Sequence, residues 1–185
     1  MQIVDLRTLH SRSLEGLFQE EARHWHDELH WDYRASIELI RRFIDSRALG
    51  GYAALENTHP LGYGFYVLED HKGLIGGLFV SPRCTQKPVT QALLSEMLGA
   101  LRNTPRLERI EAQLMPFGSE LDPAFLSQYF LLHPRQFMLL PLTESVLCGK
   151  PLSSGLRIEP WSDRAFESAA RLIQLAYADH VDGQI

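Results

Sequence analysis

The stretch LFVSPRCTQKPVTQALLSEMLGALR, from Leu78 to Arg102, decides the fold. Leu78-Phe79-Val80 ends a strand, Ser81-Pro82 opens a polar loop, and an apolar helix follows from about Val89. Val89, Leu93, Met97 and Leu101 recur at the spacing of one buried helical face. A strand-loop-helix junction aims backbone N–H groups and the positive end of a helix dipole at one point, which suits a phosphate. This loop departs from the usual phosphate seat in having no glycine.

Upstream, Leu61 to Glu69 and Leu74 to Val80 read as strands separated by the turn Asp70-His71-Lys72-Gly73. Tyr52 to Glu56 is a further strand, followed by the turn Asn57-Thr58-His59-Pro60, so the three form an antiparallel meander. The chain opens with a strand at Gln2 to Leu6. Ser13 is placed to cap a helix with the stripe Leu14, Phe18, Ala22, Trp25 and Leu29. A second helix begins near Ser36, turns Ile37, Ile40, Phe43 and Ile44 inward, and stops near Gly50-Gly51.

Downstream, Ile110 to Met115 is a strand, and strand-helix-strand implies a parallel crossover. Pro123 suits the first turn of a short helix carrying Phe125 and Leu126. Phe130 to Leu142 reads as one or two closing strands interrupted at Pro134. The expected class is therefore α/β (α+β): a mixed, mostly antiparallel sheet with one parallel crossover, flanked by helices.

At 185 residues, 45% apolar and 22% charged, the chain is long enough for one full domain with a core. A net charge of −5 argues against a nucleic-acid partner, which calls for a basic stripe. No apolar run approaches a membrane span, and the N-terminus does not read as a signal peptide. Cys84 and Cys148 have neither metal nor disulfide spacing, which fits a cytoplasmic setting. After Leu142 the texture changes: residues 144–155 hold Gly149, Pro151, Ser153, Ser154 and Gly155 and read as a linker. Leu156 to Pro160 then resembles a new first strand, and Asp163 a cap for a helix to about Tyr177.

This element order, with Val80-Ser81-Pro82 at its centre, resembles the GNAT superfamily of acyl-CoA-dependent N-acetyltransferases. The similarity covers about Gln2 to Leu142. It implies a GNAT-like domain over residues 1–143, the linker, and the strand and helix of a second GNAT-like copy over residues 156–185. It also implies acetyl-CoA as co-substrate and no metal. The partner would be a small-molecule or peptide amine acceptor, with a homodimer or contact with a second GNAT copy. The rival implication is a non-catalytic module that binds acyl-CoA as a sensor or scaffolds a partner domain.

Carried over residue by residue, the resemblance seats the pantetheine arm along Phe79, Val80 and Ser81. The pyrophosphate falls on amides of Gln86, Lys87, Val89, Thr90 and Gln91, with Lys87 adding positive charge. The chain departs from the family pattern at Thr85, where Arg or Gln is usual, and at Pro88 and Thr90, which occupy glycine or small-residue places. Pro88 has no N–H to give. Phe125 stands where many members carry the tyrosine that protonates the departing thiolate. Tyr129, four residues on, shares its face if the helix persists that far. Amine acetylation also needs a base. The strand Leu74 to Val80 holds no carboxylate, so Glu111 is the candidate, against the alternative that it is an ion-pair member.

Other features have plainer competitors. His26 and His30, four apart, have the spacing of a helical chelate, but Asp27 breaks the metalloprotease pattern and an exposed polar face is the alternative. Trp25, Trp31, Tyr33, Phe65 and Tyr66 are candidates for an acceptor wall, against simple core packing. Gly76-Gly77 marks either close ligand approach or a bulge.

Overall fold

The computed structural model describes residues 1–115, 121–138, 140 and 158–180. The chain divides into two compact units, Met1–Leu139 and Leu140–Ile185. In the first, strands β1 (Gln2–Asp5), β2 (Gly50–Glu56), β3 (His59–Glu69), β4 (Lys72–Val80) and β5 (Arg109–Ala112) lie in chain order in one sheet. The first three junctions are antiparallel, and β4 runs parallel to β5. Helices α1 (Glu15–Leu29), α2 (Arg34–Asp45), α3 (Gln86–Arg102) and α4 (Leu121–Leu126) flank it. This is the mixed sheet with one parallel crossover that the sequence predicts.

The strand period of two sorts side chains onto two cores. Ala53, Tyr63 and Phe79 face one way, onto Leu14, Leu17 and Phe18 of the first helical segment and Ile37, Ile40 and Ile44 of α2. Ala54 and Val80 face the other way, onto Val89 and Leu93 of α3, while Ile75 packs on Leu94, Met97 and Leu98. Simple alternation would put Ile75 on the same side as Phe79. A bulge prevents this: Phe65 lies opposite Gly77 and Tyr66 opposite Ile75, so Gly76 is the extra residue. A Cβ at Gly76 or Gly77 would stand 2.6 or 2.4 Å from the Phe65 ring, which explains both glycines. Of the two readings of Gly76-Gly77, the bulge is what the sheet uses.

Several elements differ from their sequence reading. Ser13 lies in a 3-10 turn, Ser11–Leu14, and α1 starts after it at Glu15. α2 ends at Asp45, well before Gly50, and Phe43 is exposed because it lies off the stripe made by Ile37, Ile40 and Ile44. α3 begins at Gln86, before the expected Val89, because the helix geometry accepts Pro88 within its first turn. β5 ends at Ala112, before the expected Met115. Residues 130–138 and 140 form no strand: Leu131 and Met138 are largely exposed, so no neighbouring strand among the described residues covers this apolar run; residues 139, 141 and 142 of the expected closing strands fall outside the described residues. The outer edge of β5 has no strand partner among the described residues.

In the second unit, a 3-10 turn at Asp163–Ala165 leads into α5 (Phe166–Tyr177), which has no buried residue. Of the strand expected at Leu156 to Pro160, residues 158–160 are outside regular structure, and Leu156 and Arg157 fall outside the described residues. The expected linker, residues 144–155, also falls outside them.

The bulge makes an unequal glycine pair testable by urea unfolding. Gly77→Ala should destabilise the chain by about 1–3 kcal/mol, since its Cβ meets a rigid ring. Gly99→Ala, inside α3 with nothing within 4 Å of the new Cβ, should stabilise it by about 0.5–1 kcal/mol. Equal effects would contradict the packing account.

Candidate functional site

The pairing of β4 with β5 stops early. Lys72, Gly73, Leu74 and Ile75 pair with Arg109, Ile110, Glu111 and Ala112; beyond the bulge at Gly76, Gly77 to Val80 pair, among the described residues, on the β3 side alone. The Ser81 N–H donates to the Leu61 carbonyl at 2.8 Å, so Ser81 turns its backbone toward β3. Antiparallel alternation then turns the N–H of Val80, and that of Leu78, toward the side β5 has left. The Val80 carbonyl accepts from Gln86 Nε2 at 3.4 Å. What remains is a wedge with the Val80 N–H at its wall, an obligatory donor without a ladder partner among the described residues.

At the mouth of the wedge, Pro82 and Arg83 turn the chain, and Cys84 N–H donates to Ser81 O at 3.3 Å. Thr85 is the residue before α3 and makes no side-chain cap. Helical geometry leaves the amides of Gln86 and Lys87 without an intrahelical acceptor and engages those of Val89, Thr90 and Gln91. The group of residues expected to hold a pyrophosphate by their amides is thus split, with Pro88 between the two sets. Lys87 and Gln91 are exposed, whereas Val89 is buried against Val80 and Leu93. Thr90 is 3% exposed, and its hydroxyl has no hydrogen-bond partner. Phe79 turns its ring into the core beside Tyr63, so only its backbone runs along the wedge.

Helix α1 reaches this junction from the opposite face through two adjacent glutamates. Glu20 accepts from Ser81 Oγ at 2.7 Å and pairs with Arg83 Nε at 3.1 Å. Ser81 Oγ in turn accepts from the Arg83 N–H at 3.3 Å. Glu21 is buried and accepts a 2.5 Å hydrogen bond from the Tyr63 hydroxyl. Burial pushes the Glu21 carboxyl up to about 7, against the opposing pull of its hydrogen bonds from Tyr63 and Trp25. The Tyr63 hydroxyl is driven well above its ordinary range by the same burial and by the facing Glu21.

Glu111 stands one residue before β4 and β5 part. Ile110, Ala112 and Leu114 pack toward α3 and α4, so Glu111 is on the opposite face. It pairs with Arg109 at 2.7 Å and with Lys72 at 4.0 Å. Tyr129 does not share the face of Phe125. α4 ends at Leu126, and Tyr129 follows in a left-handed turn (φ 66°), 94% exposed. Phe125 is buried with its ring edge-on to Phe130 at 5.1 Å.

A sequence model of the Acetyltransferase (GNAT) family matches residues 6–117. The chain belongs to the GNAT acetyltransferase family. No curated protein matches it significantly. Solved structures share the fold. A probable acetyltransferase aligns with a TM-score of 0.56 at 17% identity, over 78% of this chain and 99% of that one. A possible acetyltransferase from Clostridium difficile 630 gives 0.51 at 5% identity, over 77% and 97%. A predicted acetyltransferase with acetyl-CoA from Clostridium acetobutylicum gives 0.51 at 15% identity, over 76% and 96%.

Within this GNAT domain the suggested aromatic wall separates. Trp25 stacks on Tyr33 at 4.4 Å beside Glu21, and Trp31 meets Phe137 edge-on at 6.5 Å. Phe65 lies on the α1 side, but Tyr66 packs toward α3 and α4 and leaves the wall. His26 pairs with Asp27 at 2.9 Å. Among the described residues no three His, Cys, Asp or Glu side chains group to hold a metal, and no helix is long and apolar enough to cross a membrane. Burial raises the Cys84 thiol above its ordinary value, which makes it a poor nucleophile.

Sequence reasoning missed Glu20, Glu21 and Arg83. Glu21 was findable: it sits three and four residues after Phe18 and Leu17, inside the buried stripe of α1. Arg83 was hidden because the family pattern looks for its cation at Thr85.

Glu21 sets a pH dependence of stability. Its folded value, about 7, lies above the 4.5 of a free side chain, so the folded state binds the extra proton. The associated stability is fully present below pH 4.5 and is lost as pH rises through 7, by about 3 kcal/mol in all. Urea unfolding between pH 4.5 and 8 should show this loss, and Glu21→Gln, which cannot ionise, should flatten it. An unchanged pH slope in the variant would contradict the assignment.

Proposed function

We propose that the chain transfers an acetyl group from acetyl-CoA to an amine of a small molecule or peptide by direct attack. The wedge between β4 and β5, with the Val80 N–H on its wall unpaired among the described residues, is the observation that carries this reading. The pantetheine arm lies along Phe79 to Ser81 in place of the missing β5 pairing. The Val80 N–H donates to the thioester carbonyl and stabilises the oxyanion formed when the amine nitrogen adds to the carbonyl carbon. The carbon–sulfur bond then breaks and the thiolate leaves, while the added nitrogen gives its extra proton to solvent as the amide forms. No covalent enzyme intermediate is required. The residues fit the co-substrate: a free donor in the wedge, an unpartnered hydroxyl at Thr90, and cations at Lys87 and Arg83.

Of the two side chains with catalytic roles by resemblance, Glu111 stays near the point of divergence, on the face opposite α3. Its carboxylate is held by Arg109 and Lys72. Its role is to draw the incoming ammonium and pass its proton to solvent. Tyr129, exposed beyond α4, leaves protonation of the thiolate to solvent. A module that binds acyl-CoA without transfer is the second reading, favoured by Phe125 in the acid position. In the second unit, a 3-10 turn runs straight into α5, as Ser11–Leu14 runs into α1. That pattern supports residues 156–185 as part of a second GNAT-like copy.

Calorimetry with acetyl-CoA, followed by thiol release across a panel of amines, separates the readings. Binding with turnover is expected. Binding without turnover across the panel would favour the sensor, and no binding at millimolar acetyl-CoA would contradict both. Glu111→Gln should lower kcat/KM for the amine about 10- to 100-fold with acetyl-CoA affinity unchanged. Tyr129→Phe should leave kcat within about twofold.

A further inference from the structure

The loop before α3 has lost one amide at Pro88 and the usual cation at Thr85, yet it carries a charged side chain outside the family pattern. Arg83 is 74% exposed and makes one ion pair among the described residues, through Nε to Glu20. A guanidinium has five N–H donors, so both terminal nitrogens with their four N–H groups are left for another anion. The arginine is not loose: its own N–H is held by Ser81 Oγ, and Ser81 and Arg83 share one Glu20 carboxylate. Glu20 is largely buried, its side chain 12% exposed, and it is fixed on α1, which is anchored in the core by Leu17 and Phe18.

Thr90 adds an independent pointer at the same junction. It is 3% exposed and its hydroxyl is unpartnered, whereas a helical threonine ordinarily satisfies its hydroxyl on the preceding turn. Thr90 is one turn N-terminal to Leu94, on the helical face that packs against β4. The start of α3 therefore presents two unpaired amides, an orphan buried hydroxyl, and, across the Pro82-Arg83 turn, a held guanidinium with free donors.

Resting on the acetyl-CoA reading above, we propose that Arg83, held by Glu20 and Ser81, is the side chain that grips the coenzyme's phosphates in this chain. It substitutes for the amide absent at Pro88 and the cation absent at Thr85. Glu20 is a positioning residue that acts through Arg83. By tying α1 to the loop, it also makes the helix on the face opposite α3 part of the coenzyme site.

The test compares acetyl-CoA with S-acetyl-pantetheine, which has the thioester arm but no nucleotide phosphates, by calorimetry on the full chain. Arg83→Ala should weaken acetyl-CoA about tenfold or more and flatten the salt dependence of binding, with S-acetyl-pantetheine affinity unchanged. Arg83→Lys should recover part of the loss. Because Arg83 is mostly exposed, the melting temperature of Arg83→Ala should match that of the unaltered chain. Glu20→Gln should weaken acetyl-CoA less, and should cause no further loss when added to Arg83→Ala. If the unaltered chain binds acetyl-CoA and Arg83→Ala binds it equally with the same salt slope, this inference falls and the acetyl-CoA reading stands. Equal loss for both ligands would also overturn it, since the effect would not lie at the phosphates. Failure of the unaltered chain to bind acetyl-CoA would overturn both.

Discussion

The early parting of β5 from β4 is the constraint on which the rest of the site depends. A sheet interior leaves no backbone donor for a ligand, because each strand is paired on both sides. Here four residues of parallel pairing hold the strands together at one end, and among the described residues the remainder of β4 keeps β3 alone. Pairing between Ser81 and Leu61 fixes the phase of alternation, and that phase turns the Val80 N–H outward. A single-residue change of register would turn it back toward β3.

The bulge at Gly76 reconciles this opening with a packed core. It lets Ile75 join the core under α3, as Leu78 and Val80 do, while Phe79 still faces α1. Phe65 fills the space that side chains at Gly76 and Gly77 would occupy. The polar groups are then arranged around this frame. Glu20 ties α1 to the loop, and Glu21 ties α1 to β3 through Tyr63. The two adjacent glutamates thus differ in environment, one paired with a surface arginine and the other buried against a tyrosine.

The meander was legible because Asn57-Thr58 and Asp70-His71 punctuate clear changes of period, and Asn57 and Asp70 do adopt left-handed backbone. α3 was legible from the spacing of Val89, Leu93, Met97 and Leu101, all buried. The apolar run over residues 130–138 misled, since strand composition without a pairing partner among the described residues gives no strand. In the proposed site, Val80 could be read from its place before Ser81-Pro82. Arg83 was not, because its value comes from Glu20, more than sixty residues earlier, a contact only the fold creates. Tyr129 does not share the face of Phe125 because the helix that would have aligned it ends at Leu126.

In the proposed function Val80, alone between Phe79 and Ser81, offers its N–H to the ligand. Residue-resolved amide hydrogen exchange with and without saturating acetyl-CoA tests it most directly. The expected result is strong slowing at Val80 on adding ligand, with Ser81 already protected in its absence. A Val80 amide that exchanges at the same rate in both conditions would contradict the account.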